Sequence, residues 1–216
     1  LQGAGAANVV SGGSNGLQGA GAANVVVGDV GGAQLSGGLN LITGDLQGMQ
    51  LGVANITAGE VEGLQLGIFN YATDSTASIG LVSIVPRGFT DIEIFGSEEG
   101  LALAGLRHGT ERIYNVYYLG SRLSGDEADF AYGLGLGWRR SLGRVWELNI
   151  DTTATQVVQD GNFEDGNTLT KLRTLASWRG GPNFALFGGP TLTLHLTDTG
   201  AEKLEYLEQW SFTEDE

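Results

Sequence analysis

The sequence predicts an all-β chain in two parts, and three observations carry that expectation. A unit of fifteen to sixteen residues recurs from Leu1 to Asn70, marked by Asn8, Asn24, Asn40, Asn55 and Asn70. Past residue 75 the short beat gives way to longer stretches in which apolar and polar residues alternate, the period of a half-buried strand. Glycine supplies 37 of 216 residues against three prolines, with no G-X-Y period. Such a composition suits tight β-structure and its close backbone approaches better than collagen or Pro/Gly-rich disorder. The expected division is a Gly/Asn/Gln-rich repeat region over 1–75, a barrel-like antiparallel module over 76–200 and an acidic tail over 201–216.

The repeats come first in the chain. LQGAGAANVV stands at Leu1–Val10 and again, unchanged, at Leu17–Val26. From Gly28 the unit reads GDVGGAQLSGGLNLIT, then GDLQGMQLGVANIT, then AGEVEGLQLGIFNYAT, with Gln34, Gln50 and Gln65 at matching places. Inside it lies a finer beat of five: Asn40, Asp45, Gln50, Asn55, Glu60, Gln65 and Asn70, each followed by a large apolar residue. This resembles the pentapeptide β-helix pattern, in which the polar residue faces out, its two neighbours face in, and three sides make a coil. An antiparallel meander with turns at Gly28-Asp29, Gly44-Asp45 and Ala58-Gly59 is the alternative. The change from sixteen to fifteen favours the solenoid, because an added residue is harmless at a corner but flips every later side chain in a strand. A solenoid places Gln50 beside Gln65 and Asn55 beside Asn70 on parallel neighbours, as structural ladders. Antiparallel neighbours would make the repeats barrel strands instead.

Strands are then expected near Ser78–Val85, Phe89–Phe95, Leu101–His108, Arg112–Gly120, Asp129–Arg139, Val145–Val157, Leu169–Trp178 and Phe184–Leu196. Polar turns such as Ser124–Glu127 and Asp160–Asn167 separate them. The stretch from Phe130 to Trp138 sets Phe130, Tyr132, Leu134, Leu136 and Trp138 on one face and small residues on the other. Trp146, Leu148 and Ile150 likewise alternate with Glu147, Asn149 and Asp151. Aromatic residues near both ends of an apolar face match an outer-membrane barrel strand, but a soluble barrel or sandwich writes the same string. The direction of the Phe130–Trp138 face discriminates: outward on a barrel means lipid, inward means a soluble core. Glu202–Trp210 has helical spacing of Leu204 and Leu207 and reads as a short helix or loop before the acidic end.

Charge and residue chemistry exclude several functions. The net charge is −14 and all eleven basic residues lie from Arg87 onward, which argues against nucleic acid as a partner. Without cysteine there is no thiol catalysis, disulfide or Cys-ligated metal. GAGAAN lacks the third glycine and the following helix of a dinucleotide loop. His108 and His195 read as structural, no serine stands in a G-x-S-x-G elbow, and Glu98-Glu99 and Asp126-Glu127 read as turn residues. Asp160–Asn167 is calcium-like but lacks the sixth-position glycine and distal Glu of an EF-hand. No catalytic, cofactor-binding or metal residue is assigned. An enzyme reading would return if a pocket gathered charges such as Asp151 and Arg139 without lipid-facing aromatics. No apolar run approaches the ~18 residues of a membrane-spanning helix, a test that leaves β-barrels untouched. The chain opens inside a repeat, so the natural N-terminus is expected upstream of Leu1.

GLQLGIFNYA at Gly63–Ala72, with its copies GMQLGVANIT and LQGAGAANVV, resembles the repeats of uncharacterised bacterial surface-repeat proteins. VPRGFTDIEIFGSE, ERIYNVYYLG, AYGLGLGWR, LNIDTTATQV and FALFGGPTL resemble the barrel-like module that follows such repeats. The resemblance implies a bacterial outer-membrane or cell-surface setting with membrane lipid as partner, and no assigned reaction or ligand. The expected role is that of a non-enzymatic envelope structural protein; the alternative is a soluble β-protein that binds lipid or glycan.

Overall fold

A computed structural model of the chain describes residues 1–98, 100–122, 130–158, 168–181 and 184–196. The turns expected at Ser124–Glu127 and Asp160–Asn167, the residues Glu99 and Asp126-Glu127, and the Glu202–Trp210 helix with its acidic tail lie outside the described residues. The described chain is all strand and turn, divided between a parallel solenoid of about five turns and a curled antiparallel half-barrel.

Coils of the solenoid each contribute two strand rows. β1 (Gln2–Ala4) and β2 (Ala7–Ser11) open the stack, followed by β3 (Ser14–Ala20) with β4 (Ala23–Val27) and β5 (Val30–Ser36) with β6 (Leu39–Ile42). β7 (Leu46–Leu51), β8 (Ala54–Leu66), β9 (Phe69–Ile79) and β10 (Val82–Ile84) continue it. Every neighbouring pair runs parallel, with Gln50 opposite Gln65 and Asn55 opposite Asn70. The solenoid expectation holds and the hairpin alternative falls. The residue that separates sixteen from fifteen sits at a corner: Ser36-Gly37-Gly38 separate Leu35 from Leu39, where Gly52-Val53 alone separate their partners Leu51 and Ala54.

One expectation is corrected. Asn24, Asn40, Asn55 and Asn70, like Gln18, Gln34, Gln50 and Gln65, are fully buried rather than outward-facing. Burial is tolerable because each amide is satisfied one coil away. Asn40 Nδ2 donates to Asn55 Oδ1 at 2.9 Å and to the Leu51 carbonyl at 2.9 Å, while Gln65 Nε2 donates to Gln50 Oε1 at 2.9 Å. Val26, Val30, Ile42, Leu46, Val61 and Ala72 form a buried apolar cluster in the same stack. The polar and apolar residues therefore share the interior.

The parallel stack also runs on to Ile84, so the stretch read as a separate strand at Ser78–Val85 belongs to the solenoid. There serines replace the amides: Ser78 Oγ donates to Gln65 Oε1 at 3.0 Å, and Asn70 Nδ2 donates to Ser83 Oγ at 3.3 Å. Short hydroxyls end both ladders without leaving the last amides unpaired.

The second sheet runs β11 (Phe89–Gly96), β12 (Leu101–Gly109), β13 (Ile113–Arg122), β14 (Phe130–Ser141), β15 (Trp146–Val158) and β16 (Thr168–Gly181), each antiparallel to the last. β17 (Phe184–Gly188) and β18 (Thr191–Leu196) both pair with β16, at its two ends, and so form one row interrupted at Gly189-Pro190. Proline lacks the N–H a continuous strand would use. The eight strands thus make seven rows, and the sheet curls until the first and last face each other. Phe95 and Phe187 meet edge to face at 6.1 Å, and Thr193 Oγ1 donates to Glu98 Oε1 at 2.8 Å.

The two parts are joined through the last coil. Asn115 Nδ2 donates to the Gly80 carbonyl at 2.7 Å, and the Tyr117 hydroxyl to the Leu81 carbonyl at 2.8 Å. Arg87 pairs with Glu60 across the junction.

Candidate functional site

The curled sheet is built inside out. On β14, Phe130, Tyr132, Leu134, Leu136 and Trp138 point to the convex exterior and are exposed, whereas Ala131 on the opposite face is buried. Trp146 and Ile150 on β15, Leu172 and Trp178 on β16, and Leu106 and Leu119 continue the apolar exterior. Strand alternation sends the intervening residues into the concave side, where Glu93, Arg107, Glu147, Asp151, Lys171 and Arg173 are all buried. An ordinary soluble sheet does the reverse.

Most of these buried charges belong to one chain of ion pairs, and Lys171 pairs separately with Glu98. Asp151 Oδ1 accepts from Arg173 Nε at 2.6 Å, and its Oδ2 accepts from the Tyr114 hydroxyl at 2.9 Å. Arg173 also lies 3.5 Å from Glu93, whose other oxygen is 3.3 Å from Arg107. Arg107 reaches Asp91 at 3.5 Å, and Asp91 in turn lies 3.8 Å from Arg139 and 3.5 Å from Arg179. Arg179 holds both Glu147 oxygens, at 2.8 and 3.1 Å. Lys171 and Glu98 meet at 3.3 Å at the other end. Asp91, Glu93, Glu98, Glu147 and Asp151 offset Arg107, Arg139, Lys171, Arg173 and Arg179, so these ten charges sum to zero. Pairing of this kind is what makes buried charge tolerable.

Aromatic rings pack within the same space. Arg139 stacks over Phe89 at 3.4 Å and Arg173 over Phe95 at 5.0 Å. Leu101, Leu103, Tyr114, Val116, Tyr118 and Leu169 form a buried apolar cluster among them, and the Tyr118 hydroxyl lies 2.5 Å from Thr155 Oγ1. Glu98 lies in the turn after β11; burial pushes its carboxyl up, but a backbone hydrogen bond, Lys171 and Thr193 together hold it below the ordinary range. Between β11 and the β17–β18 row lies a cavity of about 600 Å³, bounded by Phe95, Phe187, Lys171 and Arg173.

The residues singled out in the sequence fall as follows. Asp151 and Arg139 are both drawn into the network, the first bound by Arg173 and the second beside Asp91. The aromatics of β14 face outward and are exposed, on the side of the sheet away from Asp151. His108 is structural: its Nε2 accepts the Val85 N–H at 3.0 Å and its Nδ1 lies 2.8 Å from Thr90 Oγ1, fastening the junction to β12. The backbone of His195 lies in β18, opposite Leu169. Among the described residues, no group of three or more His, Asp or Glu is arranged to hold a metal ion. Glu93, Arg107 and Arg173 were missed as a set; the available signal was one of phase, since each is a charge falling on the face opposite its strand's exposed apolar residues.

Set against known protein families, characterised proteins and solved structures, the chain matches none of them.

Proposed function

We propose that the chain is a non-enzymatic structural protein of a bacterial outer membrane, its curled sheet seated in lipid and its solenoid carried on the outside of that sheet. The inverted polarity is the observation that supports this reading. Exposed leucine, isoleucine and tryptophan on the convex side, against a neutralised charge network on the concave side, suit a hydrocarbon solvent. Strand length agrees. A strand of 12 residues, as in β14, covers about 40 Å and, at a tilt of about 45°, about 28 Å of height, close to a bilayer core. The interior is occupied by ion pairs and aromatic rings, which favours an anchor or scaffold over an open channel.

The test is extraction and gel mobility. Expected are recovery only with detergent and a faster-migrating unheated form on SDS gels. A protein that is monomeric and soluble without detergent would overturn the reading.

The cavity beside Phe95 and Phe187 favours a second reading, a soluble β-protein that binds lipid or glycan there. That reading requires saturable binding of a fluorescent fatty acid or an oligosaccharide by detergent-free protein, lost on Phe187→Arg.

A further inference from the structure

The solenoid has two long corners of opposite chemistry. One carries Asp29, Asp45, Glu60 and Asp74, each beside the same turn of successive coils, and Asp29 and Asp45 accept the N–H of the next acidic residue at 2.8 Å. The other carries no charge. Its tip residues stack as Ala6, Ala22, Gly38, Val53, Ile68 and Leu81, through backbone bonds such as Ile68 N to the Val53 carbonyl at 2.9 Å. The Ala and Gly tips of the first three coils therefore give way to Val53, Ile68 and Leu81 in the three nearest the half-barrel. The adjoining row follows the same course, from Gly3 and Gly19 through Leu35 and Leu51 to Leu66 and Ile79. Val53, Ile68 and Leu81 are 50%, 57% and 47% exposed.

We propose that this corner rests in the boundary layer of a lipid bilayer, with the barrel-proximal coils against acyl chains and the Ala/Gly coils in water. The inference rests on the membrane reading of the sheet and adds a second lipid-contacting surface to it. Continuity is the first argument. The Gly80-Leu81 tip sits on the outer face of β13, held by Asn115 and Tyr117, and Leu119 on that same face is 59% exposed. Lipid that wets Leu119 meets Leu81 next. The gradient is the second argument, since a shaft wholly in water has no cause to enlarge its exposed side chains at one end. Scale is the third: coils about 4.8 Å apart place Val53 about 10 Å from Leu81, comparable to the ~5–10 Å depth reached by interfacial elements.

The absence of cysteine makes single-cysteine labelling direct. Leu119→Cys, Ile68→Cys, Val53→Cys, Ala22→Cys and Gln47→Cys, each carrying an environment-sensitive fluorophore, are reconstituted as full chain into phosphatidylcholine vesicles with brominated acyl chains. Expected is strong quenching at Leu119, at least half as much at Ile68, less at Val53, and none above background at Ala22 or Gln47. Quenching at Leu119 with Ile68 at the Ala22 level overturns this proposal and leaves the sheet in lipid. Background quenching at Leu119 overturns the membrane reading, and the proposal with it. An Ile68 label shielded from both lipid bromine and aqueous iodide means that a second copy covers the corner, which also overturns the proposal.

Discussion

Replacement of Asn55 by alanine should destabilise the solenoid far more than the same change at Asn8. Asn55 Oδ1 accepts from Asn40 Nδ2 at 2.9 Å, while its Nδ2 donates to the Leu66 carbonyl and to Asn70 Oδ1, both at 2.9 Å. The residue is fully buried. Alanine removes three bonds worth about 1 kcal/mol each and strands buried partners at a further cost, so the loss should reach about 3–5 kcal/mol. Asn8 makes only the two donor bonds, to the Gly19 carbonyl and Asn24 Oδ1, and is part-exposed. Water can re-pair what its removal frees, so the loss there should be about 1–2 kcal/mol. Against a typical total of about 5–15 kcal/mol, the first change threatens the fold and the second does not. Urea unfolding of the full chain followed by far-ultraviolet circular dichroism gives the two values, and hydrogen exchange across Ala54–Leu66 localises the first. Equal losses at the two positions would refute the ladder as a source of stability.

Three further outcomes follow from the packing. Gly48→Ala should cost several kcal/mol in the same assay, because φ is +140° and a Cβ would lie 1.8 Å from the Gly32 carbonyl oxygen, whereas Gly19→Ala, with open space around it, should be near neutral. Arg173→Met strands Asp151 and Glu93 and should cost about 3–5 kcal/mol; adding Asp151→Asn should recover part of that loss, and strictly additive losses would deny the coupling. Leu134→Arg, on the exposed face of β14, should cost about 2–4 kcal/mol of stability in lipid. A loss below about 0.5 kcal/mol, as at an ordinary exposed site, would indicate that the face meets water.

The parts legible in the sequence were those set by local period. The asparagine and glutamine spacing favoured parallel coils over hairpins, because the change from sixteen to fifteen is harmless at a corner but flips every later side chain in a strand. The alternation from Phe130 to Trp138 implied one apolar face. The inward aim of Asn55 and Gln65 was hidden, because a polar side chain can be buried only if its partners lie one coil away, and that is a property of the stack rather than of the five-residue beat. The end of the solenoid was hidden for a related reason: the last coil shortens and changes amide for serine, at Ser78 and Ser83, so the marker residues disappear before the architecture does. Phase could set Glu93, Arg107 and Arg173 on the inner face, but not their meeting, because they sit on three strands and only the curl of the sheet brings β11 and β16 face to face.

That curl has a consequence for how a ring could form. Among the described residues the sheet has seven rows, each antiparallel to its neighbour, so β11 and the β17–β18 row point the same way. The outward side chains of β11, Ile92 and Ile94, are 80% and 79% exposed, about double the 38% of Trp138 within the sheet. Joining these margins directly would create a single parallel seam in an otherwise alternating ring. Strict alternation instead demands an odd number of additional strands, and a lone strand seated there must run opposite to both of its neighbours.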